Sequence, residues 1–518
     1  MWQIFQRVVR IGIRKSTPKI DYIGSLVRIR SEIFSEESRM KKTLLALLLT
    51  CSFGLTVFAE APTELVMYLI GNSNAQYDAA LAKFNEKAKA DLNVTLKVNF
   101  IGWGDIWTKY PLVLASGEPI DLIYTSTWLN FTNQALKGAF KPLEKLGPQY
   151  APISWKTEPA EGLRQATING HIYALPPNYE AYSTFGPIVR GDLMKKYGIT
   201  DIKNVDDYGK FLDAVAQKDK QLDPSGMSNT QPILAACFWY QKGLYPLSGD
   251  PNVESPFWIN FQDKSGKLVN ITDMPDTLDI LKKLGDWSKK GYWPKSVLSN
   301  KDTNMFQNGK AASVLWNFDN WLGNYQQHPE WDVKFYTMLP KTFILPYMQD
   351  GMAIPASAQH PEKALQLLDK IRNDESYWRL LSYGIEGTHY EITKEGMIKP
   401  LDLTNFPPEQ YCSWGFRDSR FRKDVVGYPS NAAAARAALK ANAAENVYVS
   451  FNQNVEPVKN EYSAVLNVMQ QYWVPLKLGY IEPEKGLKTL KEKLKAAGID
   501  KVQAEFQKQV DAFLATRK

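Results

Sequence analysis

The chain is poor in the residues on which many enzymes and small secreted domains depend. Three cysteines in 518 residues exclude a disulfide framework. The four histidines, His171, His328, His360 and His389, are too dispersed for a helical metal-binding pair, and His328 and His360 each precede a proline. A Gly-Lys-Ser/Thr phosphate loop, a dinucleotide fingerprint and a nucleophile elbow are all missing. No second long apolar run follows Ala59, so there is no candidate spanning helix beyond it. Scattered carboxylates are compatible with a glycosidase pair, but no spacing points to one. The expectation is a chain without metal, cofactor or catalytic residues.

What is present begins inside the sequence, at Met40-Lys41-Lys42. Two lysines, the apolar run Leu44 to Leu49, and Thr56-Val57-Phe58-Ala59 describe a secretory signal peptide over 40–59, cleaved after Ala59. Residues 1–39 carry eight Lys/Arg and four acids, and a basic arm ahead of a signal peptide would hinder export. They read as an over-extended start, with Met40 the initiator. Removing 1–59 takes away ten bases and four acids and leaves 52 against 51. The formal +7 thus falls to near +1, which removes the case for a nucleic-acid partner. Leu48-Leu49-Thr50-Cys51 offers a second reading, a lipoprotein box with Cys51 lipidated. Thr50 is unusual there and the next residues are apolar, so soluble periplasmic export ranks above membrane anchoring. The mature cysteines, Cys237 and Cys412, either pair in an oxidising compartment or remain buried thiols.

The mature 459 residues exceed what one core sustains, so two lobes are expected. Glu64 to Ile70 has strand character, and Tyr77, Leu81, Phe84 and Ala88 recur at helical spacing. Val94 to Phe100 alternates as a strand, Ile106 to Ala115 is helical before Gly117, and Ile120 to Tyr124 is a buried strand. Strand and helix in alternation imply a parallel sheet with right-handed crossovers, whose ligands bind beyond the carboxyl ends of the strands. Three loops leave those ends: Gly71 to Asn74, Gly102 to Asp105, and Ser126-Thr127-Trp128. Together they form a candidate wall containing Trp103 and Trp128, whereas Trp107 reads as packing.

Further on, Asn169-Gly170 predicts a hairpin turn, and Pro176-Pro177 a stiff crossing between lobes. Helices are expected over Asp206 to Val215, Thr277 to Lys289, Pro361 to Ile371 and Asn431 to Ala444, with Leu222 to Asn270 rich in loops. Two helices close the chain, broken at Gly498, with Asp500 as the expected cap of the second. Aromatics are the positive signal. Fourteen tryptophans and twenty-five tyrosines lie beyond residue 59, many beside polar residues in predicted loops. Rings that stack on C–H faces, beside Asp, Glu, Asn or Arg that bond hydroxyls, suit a sugar cleft.

Four segments carry a resemblance to a known family: Ala115 to Ile123, Asn169 to Pro176, Phe306 to Ala312, and Met352 to Leu368. From about Glu64 onward the chain resembles the family 1 extracellular solute-binding proteins, the maltose-binding-like receptors of ABC importers. Leu494 to Asp500 is similar to the C-terminal region of a lipoprotein-type subgroup. The resemblance implies an α/β, periplasmic-binding-protein-like (type II) fold of two lobes, with a hinge and an interlobe cleft. The expected division is 60–175 plus about 345–385 for the first lobe, and 176–344 plus about 386–518 for the second. The family's site positions fall on Asn72 and Asn74, Ser126 and Trp128, Glu180 and Tyr182, and Trp316 with Asp319 or Trp321. Arg190-Gly191-Asp192 matches a family pattern as well, with Asp192 read as a helix cap. The implied function is a monomeric, non-enzymatic receptor that closes on an oligosaccharide and presents it to the membrane subunits of an importer. A peptide receptor and a secreted carbohydrate-active hydrolase are the alternatives.

Overall fold

The structure, a computed structural model, describes residues 61–229, 234–249 and 253–517. The segments expected to be an upstream extension (1–39) and a signal peptide (40–59), with Cys51, lie outside the described residues. Residues 62–518 form one compact unit, and two separate apolar cores divide it into lobes.

The first lobe follows the expected alternation. Strand β1 (Thr63–Ile70) leads into helix α1 (Ala75–Leu92), strand β2 (Val94–Ile101), helix α2 (Ile106–Ala115) and strand β3 (Leu122–Thr125). β1 pairs in parallel with β2 over its whole length and with β3 through Met67 and Tyr68. A late strand, Gly351–Ala353, adds antiparallel to β3, which gives the order Gly351–Ala353, β3, β1, β2. α1 turns Tyr77, Ala80, Phe84 and Ala88 inward, as the helical spacing requires. β3 is buried along its length and begins two residues later than expected, because Asp121 is spent on the backbone N–H groups of Val66 and His360.

The second lobe is built on a small antiparallel sheet, Gly186–Val189 between Ser313–Trp316 and Lys334–Phe335. Helices Val205–Lys218 and Thr277–Lys289 share its apolar core with the C-terminal helices Pro483–Ala496 and Ile499–Ala515. Gly498 adopts φ +86°, a left-handed conformation that suits glycine, and is itself the cap of the last helix. Asp500 therefore lies in the first turn and is not the cap. Asp192 is likewise no cap: it sits in the first turn of Gly191–Tyr197 and forms a two-point ion pair with Arg190. Cys237 and Cys412 are both free and buried, one in each core, which settles the alternative in favour of buried thiols.

The chain crosses between the cores three times. The first crossing runs from Leu175 to Gly186 and the second from Phe343 to Met348, and backbone hydrogen bonds zip them together. Leu175 and Met352 exchange both bonds, at 2.9 and 3.0 Å, while Ser183 donates to Phe343 and Leu345 to Ala181. The third crossing, between Val425 and Val447, contains the helix Ala432–Ala441. Its end, Ala443–Ala444, pairs in parallel with Thr342–Phe343 of the second. The expected assignment of 386–518 to the second lobe needs correction. Tyr390, Ile398, Cys412, Phe416 and Val425 pack in the first core, so the chain leaves that lobe only after Val425. The strands there are three residues long and their apolar residues widely spaced, which hides them from any periodicity.

Candidate binding site

The three loops at the carboxyl edge of the first sheet do converge. Ser126 caps the turn Thr127–Leu129 by accepting a hydrogen bond from the Leu129 N–H at 3.0 Å, and this turn presents Trp128. Trp103 stacks on Trp128 with ring centroids 6.2 Å apart and planes inclined by 22°. It also stacks on Trp414, at 6.1 Å and 25°. Tyr124 touches both Trp128 and Trp414, so four rings form a closed cycle. Trp107 adds a fifth ring, edge-on to Trp128 at 6.2 Å. Trp103 and Trp107 remain 46% and 44% exposed, a large apolar surface to leave in water. Asn72 borders this wall: a side chain at Gly102 would meet its Oδ1 at 3.2 Å, next to Trp103.

Beside Trp414 the wall becomes charged. Arg417 and Arg422 come from the first lobe and Asp319 from helix Phe318–Gln327 of the second. Asp319 lies 3.2 Å from each guanidinium. The same two arginines reach Glu409, Arg422 at 2.8 Å and Arg417 at 3.5 Å. Tyr179 of the first crossing is flanked by both guanidiniums, 4.8 and 5.0 Å from its ring, and its hydroxyl accepts from Arg422 and from Arg436 of the third crossing. Burial alone would raise the Asp319 carboxyl. Arg422, Arg417 and Arg436 overcome that and hold it well below the usual carboxylate range. Asp350 goes the other way. Burial pushes its carboxyl up to about 6, despite Arg417 nearby and a 2.5 Å hydrogen bond from the Tyr124 hydroxyl.

The remaining expected positions divide. Trp316 ends its strand half-buried, edge-on to Phe185 at 5.6 Å, on the second lobe. Glu180 is exposed on the first crossing, where it accepts from the Tyr182 hydroxyl at 3.1 Å and pairs with Lys440 at 3.4 Å. Asn74 is spent on structure. Its Oδ1 caps α1 through Gln76 and Tyr77, and its Nδ2 donates to the Asn405 carbonyl at 2.8 Å. Trp321 is 4% exposed, packs on Phe318 and donates to the Val333 carbonyl, so it is a core residue. Sequence reasoning missed Trp414 and the two arginines, and noted Tyr179 only as an aromatic beside Glu180. Trp103 was found because its loop leaves the carboxyl end of a predicted strand, whereas Trp414 follows no strand that the sequence pattern reveals.

Two other hollows are lined only by second-lobe residues: a surface groove of about 500 Å³ along Lys283 to Lys290, and a cavity of about 20 Å³ beside Glu254 and Lys477. Their lining residues are nearly all engaged in pairs or in the core. Among the described residues no group of three or more His, Cys, Asp or Glu is placed to hold a metal ion. No helix among them is long and apolar enough to cross a membrane.

Two α/β cores, three zipped crossings and an aromatic wall at the sheet's carboxyl edge define a two-lobed solute-binding protein. The chain belongs to the bacterial extracellular solute-binding protein family, whose model matches residues 79–384. A second model, described as a domain of unknown function, matches 447–515. The chain is 26% identical over 465 residues to a carbohydrate ABC transporter substrate-binding protein of Streptococcus pneumoniae serotype 4, covering 87% of this chain and 91% of that one. It is 23% identical over 336 residues to lipoprotein LipO of Bacillus subtilis strain 168, covering 60% and 64%. Among solved structures, the N-glycan transport solute binding protein NgtS of S. pneumoniae, in complex with Man1GlcNAc, matches with a TM-score of 0.73. The match covers 88% of this chain and all of that one, at 23% identity. The alginate-binding protein AlgQ2 matches at 0.62 and 18% identity, over 88% and 99%. These likenesses show the two-lobed fold.

Proposed function

We propose that the mature chain is an exported receptor that binds an oligosaccharide between its lobes, without turnover, and delivers it to the membrane subunits of an ABC importer. The observation that carries this reading is the wall of Trp103, Trp107, Trp128 and Trp414. Two half-exposed indoles backed by two half-buried ones give pyranose C–H faces an apolar platform. Asn72 supplies a polar group at its border; on this reading Glu180 and Tyr182 of the first crossing, and Asp319 and Trp316 of the second lobe, complete the site. The names of the relatives support a carbohydrate over a peptide: one is a carbohydrate transporter component and one structure holds a mannose-containing glycan. Asp319, held ionised by its arginines, is unsuited to protonating a leaving group. The receptor acts as a monomer, and closure is favoured by ligand contacts that are better made in the closed form.

A thermal-shift panel of monosaccharides, oligosaccharides and peptides tests this directly, because a ligand of the native state raises apparent stability. Oligosaccharides are expected to shift the transition and peptides to leave it in place. Peptide hits alone would overturn the substrate class. Release of reducing ends by the purified chain, lost in Asp350→Asn, would overturn the receptor reading.

A further inference from the structure

A short segment of the C-terminal region matched as a domain of unknown function hydrogen-bonds to the first lobe. Residues 450–455 run from the third crossing toward the C-terminal helices. The last helix grips this segment: Gln509 Oε1 accepts from the Asn454 N–H at 3.0 Å, and its Nε2 donates to the Asn454 carbonyl at 2.8 Å. One side-chain amide thus satisfies both backbone groups of one residue. On its other side the segment meets α3 (Phe131–Leu136), which directly follows the turn that presents Trp128. The Val455 N–H donates to Asn133 Oδ1 at 3.2 Å, and the Thr132 hydroxyl donates to Asn452 Oδ1 at 3.0 Å. The Ser450 hydroxyl also donates to Glu161 of the first lobe. Asn133 is buried, so a lost partner there leaves a polar group without water. α3 is tied back to the turn by the Phe131 N–H, which donates to the Ser126 carbonyl at 3.0 Å.

We propose that residues 447–515 act as an interlobe strap, in which Gln509 fixes Asn454 and the segment 450–455 in turn fixes α3 and the position of Trp128. Gln509, Asn133 and Asn452 are positioning residues. They act on the wall through the turn Ser126 to Asn130 and need touch no ligand. A contiguous hydrogen-bonded path with a rigid helix at each end has the physical character such coupling needs.

Hydrogen exchange on the ligand-free mature protein tests the proposal independently of what the wall binds. Gln509→Ala should speed amide exchange about tenfold in 450–455 and also in 126–136, as expected for the loss of two hydrogen bonds. The rest of helix Ile499–Ala515 should stay protected. Gln509→Glu keeps the acceptor for Asn454 and should fall between the two. Because coupling is reciprocal, Asn133→Ala should loosen 450–455 from the opposite side with Gln509 intact. The emission maximum of the tryptophan cluster should shift in both variants, a readout that loosening of the segment alone would not move. Faster exchange confined to 450–455 in Gln509→Ala, with 126–136 unchanged, would overturn the proposal. So would an unchanged segment in Asn133→Ala, which decides the question if Gln509→Ala fails to fold.

Discussion

Asp319 of the second lobe and Arg417 of the first stand 3.2 Å apart, and Arg422 closes on the other oxygen of the same carboxylate at 3.2 Å. This one acidic side chain joins the two lobes beside the aromatic wall. Its side chain keeps 39% of its surface open, so solvent screens the pairs in part. Asp319→Asn would leave the two guanidiniums with Glu409 as the carboxylate they share, beside Tyr179. A loss of about 1–2 kcal/mol is expected in urea unfolding at low salt. The difference from wild type should shrink near about 1 M salt, where the Debye length is short. Equal midpoints at low salt would rule out a stabilising contact.

Asp350 gives stability a slope with pH. Its folded value of about 6 lies above the unfolded one, so the folded chain binds the extra proton. The contribution is therefore present below about pH 4 and lost as pH rises through 6, on the order of 2–3 kcal/mol in all. Asp319 has the opposite sign: its depressed value adds stability above the unfolded range, lost as pH falls below about 4. Asp350→Asn cannot ionise, so its stability relative to wild type should rise between pH 4 and 7. Parallel profiles for the two proteins would refute the assignment.

Gly415 lets the Trp414 turn approach the sheet. A Cβ there would lie 2.8 Å from the Tyr124 ring and 3.1 Å from the Met352 sulfur, both fully buried. Neither neighbour has room to give. Gly415→Ala should cost about 1–3 kcal/mol and displace Trp414 from Trp103, changing near-ultraviolet dichroism. An unaltered spectrum and melting curve would show that the turn tolerates the methyl group.

The first lobe was legible because its signals are local. The periods of α1 and β2 are long enough to read, and helix Ile106–Ala115 begins and ends where its apolar run does. The Asn169-Gly170 hairpin was equally readable, since both residues take positive φ. The wall was half legible: Trp103 and Trp128 lie on loops that follow predicted strands. Trp414 reaches the same place on a segment that returns to the first lobe late in the chain, through short strands with no period. Trp321 misled because a tryptophan beside Asn and Asp reads as cleft-facing, whereas its place three residues after Phe318 turns it onto the core.

Cys237 and Cys412 provide a simple check on the cores. Both are buried, and burial pushes Cys237 up to about 12, so neither is a ready nucleophile at neutral pH. A thiol reagent should find none reactive in the native chain from Glu60 onward and two in strong denaturant. None in denaturant would mean a disulfide, against the structure.

The central claim is that the tryptophan wall holds an oligosaccharide, and calorimetric titration tests it most directly. The ligand is the strongest oligosaccharide hit from the thermal-shift panel, titrated into wild type, Trp103→Ala and Trp128→Ala. Loss of a stacked ring of this kind is expected to weaken binding about tenfold, or about 1.4 kcal/mol. Trp321→Phe, changed in the core alone, should bind as wild type does. Undiminished affinity in both wall variants would contradict the account.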